Sequence, residues 1–497
     1  MLRATNVPKK NRIKRAKGRP PYPLTLLKLP TLFSKGPLSL ITGRSSQPPS
    51  PKWAVRLELG RAMWGLLRGL ASLPAFWIEE QGIKQQVRDD VLAAPQAPQT
   101  CPVSDPPLHR PLKIFIACAE PSGEIHACSL ARALQDELRE LGAPPPELFG
   151  FGGPALAGAG VTLLGDPGAR ATMDAGEAAK GIGFYCELME RLARCCDEHS
   201  LDAFVPIDSP ALYVPMASLA KDRGVATIHF VAPQYWAWAP WRVGRYKRVM
   251  DLALTILPFE PRWYRRHGVK TSHVGHPILD TLGPLKDLPA QDSRTALVLL
   301  PGSRAGEIED NLGWMLARVR EQLPRLKCTE VLICQSSPRH RERIERILQS
   351  ESVEAQLMVG DLHACLGRAR TAFAVSGTVL MEVMHHRIPA LVVYRVDHSW
   401  KKHAFWLLTC PWVGKPNLVA GEEIFPEFGF VGQGDPEKVG AELVALDADP
   451  ARRKAVSRGI QRAFSRLGAA GAAKRAARAV LHEIAPAESK RDDGEIS

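Results

Sequence analysis

From about residue 111 the chain alternates short apolar runs with stretches of helical period, and it does so in two series. "LKIFIACAE" reads as a strand, and "HACSLARALQDELREL" follows with apolar positions at 127, 130, 131, 134, 138 and 141, the spacing of one helix face. "DAFVPID", "ATIHFV" and "LALTILPFE" continue the first series. After the "TSHVGHP" punctuation the pattern restarts with "TALVLLPGS", "EVLICQS", "TAFAVSG" and "PALVVYR". Strands separated by helices require parallel pairing through right-handed crossovers. Two series meeting near residue 277 therefore predict an α/β protein of two doubly wound, Rossmann-like domains facing a cleft.

Such sheets bind ligands beyond the carboxyl ends of their strands, and the polar motifs fall there. "AEPSGE" follows the first strand and holds Glu120, Ser122 and Gly123. "DSP" follows Ile207, "PGSR" follows Leu300, and "SGT" follows Val375. Gly302 permits a tight turn, and the helix start beyond it offers free N–H groups to an anion. Ser303 adds a hydroxyl and Arg304 a two-pronged donor suited to phosphate oxygens. The Walker and dinucleotide fingerprints are both absent. Ser376, Gly377 and Thr378 form a second strand-to-helix turn, with Glu382 one turn in, placed to accept hydrogen bonds from a ribose. The two turns together suggest a nucleoside diphosphate. Asp208 at a strand end suits a general base, but Asp or Ser before Pro210 suits a helix N-cap, and locally the cap is the favoured reading. Both stay open at this point.

Charge narrows the partners. Residues 1–60 carry 13 Lys or Arg against one acid, Glu58, whereas the remainder is nearly balanced, so the net charge of +13 belongs to a tail. With its Pro and Ser content and no sustained period, segment 1–62 reads as a disordered basic extension. Contact with anionic lipid or nucleic acid, a solvated tail, and a natural start at Met63 are open readings of it. "MWGLLRGLASLPAFWI" within a 63–110 linker is short for a span, which needs about 20 apolar residues. Its Trp64 and Trp77 suit an interfacial helix, and packing on the body is the alternative. The ten cysteines are scattered without a Cys-x-x-Cys pair and read as reduced core residues. His273 and His276 have a metal-like spacing, but a Gly lies between them and no helix face joins them. The first domain is expected over 111–277, the second over 278–465. A terminal helix and tail follow over 466–497, with the helix crossing back to the first domain.

In one order the chain reads "AEPSGEIHA", "GFGGPALAGAG", "PIDSPALY", "HFVAPQYWAWAPWRVGRYKR", "LPFEPRWYRRHGV", "VGHPILD", "LLPGSRAGEI", "SGTVLMEVM", "VVYR" and "KPNLVAGEEIFPE". This set resembles the lipid-A-disaccharide synthases, glycosyltransferases of the GT-B type, over about residues 112–484. The resemblance implies transfer of 2,3-diacylglucosamine from its UDP derivative to 2,3-diacylglucosamine 1-phosphate, with inversion, forming the β-1′,6-linked disaccharide. Asp208 matches the candidate base, and Asn417 falls in a motif expected to contact UDP. No cofactor, metal or nucleic acid enters the scheme. It implies a cytoplasmic protein, peripheral on the inner face of the inner membrane and in contact with anionic lipid. The segment Gly181–His199 is one candidate for dipping into the interface. This chain departs from the family pattern at Ala119, Glu124, Glu187 and Gln234, most of them around the acceptor and membrane-facing side. A UDP-N-acetylglucosamine 2-epimerase, which shares the two-domain architecture, and a catalytically silent membrane-binding relative are the alternatives.

Overall fold

The computed structural model describes residues 49–93, 110–168, 178–282, 293–396 and 407–485. Two all-parallel sheets organise it. The first contains β1 (Lys113–Ala117), β2 (Glu147–Phe151), β3 (Thr162–Gly165), β4 (Ala203–Pro206), β5 (Ala226–Phe230), β6 (Leu252–Thr255) and β7 (Thr271–His273), in the order β3-β2-β1-β4-β5-β6-β7. The second contains β8 (Ala296–Leu300), β9 (Glu330–Gln335), β10 (Gln356–Val359), β11 (Ala369–Val375), β12 (Ala390–Val396) and β13 (Glu427–Val431), in the order β10-β9-β8-β11-β12-β13. Central strands such as β4 and β8 are buried along their whole length. That is why they read as unbroken apolar runs and not as alternation.

In each sheet the strand order reverses at one place, between β1 and β4 and between β8 and β11. Register holds those junctions, with Ile114 opposite Ala203 and Leu299 opposite Phe373. The four loops leaving these strands are the four that carry the polar motifs. The crevice at a reversal point is where doubly wound folds bind ligands.

The chain passes between the domains twice. The helix Pro450–Leu467 runs through the expected boundary at 465, and the break comes later, where Gly468 and Gly471 take φ of 80° and 100°. The helix Ala472–Ile484 then lies against the helix Pro121–Glu140 of the first domain, where Arg478 Nε donates to Glu137 Oε2 at 2.8 Å. The Asp280 carboxylate, from the other crossing, accepts the backbone N–H groups of Gly471, Ala472 and Ala473 at 2.5, 3.1 and 2.8 Å. Both crossings are thus pinned at one point.

The N-terminal reading needs correction. Of the segment expected to be disordered, residues 1–48 lie outside those described, but the rest is ordered. One helix runs from Pro51 to Leu92, through the supposed boundary at 62 and most of the supposed linker. Two buried carboxylates anchor it. Glu58 accepts from Ser218 Oγ at 2.7 Å, Arg61 at 2.7 Å and Arg245 at 2.5 Å. Asp90 accepts two bonds from Arg266, at 2.7 and 2.6 Å. Phe76 packs edge-on against Trp241 at 5.2 Å. At its far end Arg466, from the Pro450–Leu467 helix, donates to the Val91 carbonyl at 3.5 Å. The period is hard to see because apolar residues occupy two opposite faces of this helix. No described helix is long and apolar enough to cross a membrane.

Candidate functional site

At the first reversal point Asp208 and Ser209 both adopt the left-handed region, with φ of 52° and 45°. Each such non-glycine residue costs on the order of 1–3 kcal/mol and persists only where its surroundings impose it. They do so here: Asp208 N donates to the Phe230 carbonyl at 3.1 Å, and its own carbonyl meets His229 Nε2 at 2.9 Å. Neither side chain caps the following helix, Pro210–Lys221; Ser209 is the N-cap residue without a side-chain bond. The capping reading of this stretch is therefore not what the fold uses. The Asp208 carboxylate is exposed at the cleft. Nearby, Val231 and Ala239 are also left-handed, at 59° and 57°.

On the other strand of this junction, Glu120 and Ser122 are exposed, while Gly123 is buried over Cys118, whose Cβ would lie 3.5 Å from any added methyl. Glu120 faces the second domain: its Oε1 is 3.8 Å from Arg304 Nη2. Both groups are largely solvated, so this bridge contributes about 0–1 kcal/mol.

At the second reversal point Gly302 takes φ 117°, and a Cβ there would come within 2.6 Å of the Glu307 Cβ. The anion site formed by this turn is filled by the chain itself. Glu307 Oε2 accepts the backbone N–H of Ser303 at 3.0 Å and of Arg304 at 3.3 Å, and Oε1 pairs with Arg304 Nη1 at 3.2 Å. Beside it, Ser376, Gly377 and Thr378 form the turn into the short helix Val379–His385, with Ser376 N bound to the Val393 carbonyl at 3.1 Å. Gly377 and Thr378 are exposed. Burial raises the carboxyl pKa of Glu382 in that helix.

Asn417, expected to contact UDP, is instead fully buried, and its side chain is saturated by its own loop. Nδ2 donates to the Phe425 carbonyl at 2.7 Å and Glu427 Oε1 at 2.8 Å, while Oδ1 accepts from Ile424 N and Phe425 N at 2.9 and 2.8 Å. With every donor and acceptor position in use, this amide holds a loop and has nothing left for a ligand.

A cluster that the motif reading passed over lies across the domain junction. Glu260, the acid of "LPFE", is fully buried and accepts from Ile256 N and Leu257 N at 2.9 Å each and from Trp236 Nε1 at 3.0 Å. Burial pushes its carboxyl up to about 7 against those bonds. Lys415, at the start of a helix of the second domain, is lowered by burial, while Asp208 and Glu260 draw it back up. His126 is pushed down to about 4 by burial and then by Lys415. His276 is lowered too, and its buried Nε2 has no hydrogen-bond partner. Its Nδ1 accepts from Ile278 N at 3.3 Å, while His273 Nδ1 meets the Thr255 carbonyl at 3.1 Å. Among the described residues no group of three potential ligands could hold a metal. The "WAW" segment clasps the second domain: Thr409 N donates to the Ala237 carbonyl at 2.8 Å and Thr409 Oγ1 to the Trp236 carbonyl at 2.6 Å. The motifs "LPFE", "GHP" and "KPN" were all visible; their meeting was not.

The departures are accommodated locally, Ala119 half-buried against the core. Glu124 Oε1 accepts from Leu156 N at 3.1 Å, at the start of the helix Pro154–Gly158. Glu187 pairs with Arg191 at 2.5 Å on the surface. The Gln234 carbonyl accepts from Ala237 N at 3.0 Å. In the segment around Glu187, Leu188 and Leu192 are buried and Ile182 and Tyr185 are exposed. Asp447 is wholly buried and accepts from Thr371 Oγ1 at 3.1 Å, and Asp449 caps the helix Pro450–Leu467.

The model of the family described as lipid-A-disaccharide synthetase matches residues 114–482. A protein of Syntrophus aciditrophicus called lipid-A-disaccharide synthase is 31% identical over 372 residues, covering 73% of this chain and 96% of that protein. Its counterpart in Myxococcus xanthus is 31% identical over 389 residues, covering 76% and 98%. Among solved structures, a putative UDP-N-acetylglucosamine 2-epimerase from Listeria monocytogenes superposes with a TM-score of 0.52 at 13% identity, covering 73% of this chain and 94% of that one. At that identity the likeness concerns the fold, a GT-B-like pair of α/β domains.

Proposed function

This chain belongs to the lipid-A-disaccharide synthetase family, and we propose that it moves 2,3-diacylglucosamine from UDP to the 6-hydroxyl of 2,3-diacylglucosamine 1-phosphate. The observation that carries the reading is the position of Asp208, an exposed carboxylate on a strained strand-end turn at the first reversal point, with Arg304 across the cleft.

In this reading the acceptor oxygen attacks the anomeric carbon as the bond from that carbon to the UDP phosphate breaks, which inverts the centre in one displacement. The hydroxyl proton passes to Asp208. Negative charge grows on the departing diphosphate, and catalysis consists of meeting it with donors already in place. Arg304, the N–H groups at Ser303 and Arg304, and the Ser376–Thr378 turn are those donors. Glu307 holds those N–H groups, and Glu307 and Glu120 the Arg304 guanidinium, until the diphosphate replaces them. Glu382 is within the turn that receives the ribose. Gly302 and Gly377 let the backbone approach closely, and Glu120, Ser122 and Gly123 line the acceptor side. Asn417 acts only by fixing its loop. Because both substrates carry long acyl chains, the protein works from the cytoplasm on the inner face of the inner membrane, as a peripheral protein.

Incubating the purified protein with the two substrates tests this. UDP release with formation of the disaccharide is the expected result. Exchange at C2 of the UDP-sugar would instead indicate an epimerase, and absence of both a silent relative.

A further inference from the structure

The helix Pro51–Leu92 is about 63 Å long at 1.5 Å per residue. Its inner face is held by Glu58, Phe76 and Asp90, as described above. The opposite face is also apolar: Leu59, Met63, Leu67, Trp77 and Ile78 are exposed, Ile78 by 85% and Met63 by 67%. At 100° per residue these five, with Pro74, fall within an arc of about 100°, on the side away from the protein. A helix that only braced the fold would present polar residues there. Exposed Lys52 and Arg56 precede the ridge on the same arc, and exposed Arg88 follows it. No Asp or Glu falls on that arc between Lys52 and Arg88. Residues 1–60, which lead into the ridge, carry 13 basic groups against one acid, and that acid is the buried Glu58.

We infer that this outer ridge is a docking surface for an anionic lipid bilayer, with the helix lying in the interface plane. Aliphatic side chains with a tryptophan enter the headgroup–acyl boundary, and flanking cations meet the lipid phosphates. Nucleic acid would use the cations and leave Met63, Leu67 and Ile78 without a partner. A second copy of the chain would have to cover a ridge bracketed by like charge on both partners. The family match starts at residue 114, so this surface is an addition to the shared fold. Its purpose rests on the proposed acylated substrates, but its geometry does not.

The test uses the full-length protein with sedimenting vesicles of phosphatidylcholine alone or mixed with phosphatidylglycerol. Wild type is expected to bind the mixed vesicles, less so in high salt. The exposed pair Leu67→Gln/Ile78→Gln should bind about tenfold more weakly with an unchanged Tm, and Lys52→Gln/Arg56→Gln should reduce the salt-sensitive part. Wild-type strength of binding in the ridge variant overturns the proposal. So does a wild-type dimer, seen by ultracentrifugation without lipid, that the ridge variant dissociates while vesicle binding persists. Transfer between short-acyl substrates without vesicles is measured in parallel. Its failure would count against the glycosyltransferase reading, and leave the docking result standing.

Discussion

The two reversal points solve the same geometric problem differently. In the second domain the positive φ after β8 falls on Gly302, which adopts it without cost, and Glu307 satisfies the N–H groups of the turn. In the first domain the same kind of turn falls on Asp208 and Ser209, with Val231 and Ala239 in neighbouring strand-end loops. A β-branched valine in the left-handed region is an outlier. Strain of this kind concentrates where a side chain must be held against its preference. One junction is relaxed and holds an anion; the other is strained and presents a carboxylate. The first can be built from a glycine and a helix start. The second needs surrounding structure to enforce it.

The largest effect that bears on this contrast is on turnover. Asp208→Asn, which keeps the tolerance for φ 52° but removes the basic carboxylate, should lower kcat by about 10²–10⁴-fold while UDP binding and Tm hold; unchanged turnover would remove Asp208 from the chemistry. Next comes Asn417→Ala. If the amide is a loop anchor, denaturant unfolding should show a loss of about 2–4 kcal/mol, with UDP affinity of the folded protein unaltered. Weakened UDP binding at full stability would restore it to the ligand site.

Glu260 supplies a pH test. Its folded-state carboxyl is raised to about 7 from an ordinary value of 4.5, so the folded protein binds the proton more tightly than the unfolded one. Stability therefore falls as pH rises between those values and levels off above 7, by about 3 kcal/mol at 1.36 kcal/mol per unit. The buried histidines slope the other way, so the quantity to measure is wild type minus Glu260→Gln. A flat difference between pH 4.5 and 7 would contradict the assignment. Arg304→Ala should weaken UDP binding by about 10–100-fold, the loss of a charge-assisted bond, measured by calorimetry. The smallest effect tests the strain itself. Ser209→Gly should raise stability by about 0.5–1 kcal/mol, because glycine tolerates φ 45°. No gain in Tm would mean that the turn is not strained.

Much was legible in the sequence for a physical reason. Parallel strands buried on both faces must be apolar throughout, and helices between them must keep a 3.6-residue period, so two doubly wound domains could be read from pattern alone. Loops after strands carry the polar residues, so Asp208, Arg304 and the Ser376 turn could be found as candidates. The long N-terminal helix was missed because its two apolar faces blur the period. Its one early acid, Glu58, looked like an exception in a basic tail and is its anchor.

What the sequence determined, then, is local: which runs pair as strands, which turns need glycine, and where polar chemistry sits along the chain. Only the tertiary structure decided which of those pieces meet. It brought Lys415 toward Asp208 and Glu260, turned Asn417 inward, filled the Gly302 turn with Glu307, and left one face of the Pro51–Leu92 helix bare. Period and turn chemistry act over a few residues, whereas burial and charge pairing act between residues hundreds apart, and no short window of sequence contains both partners.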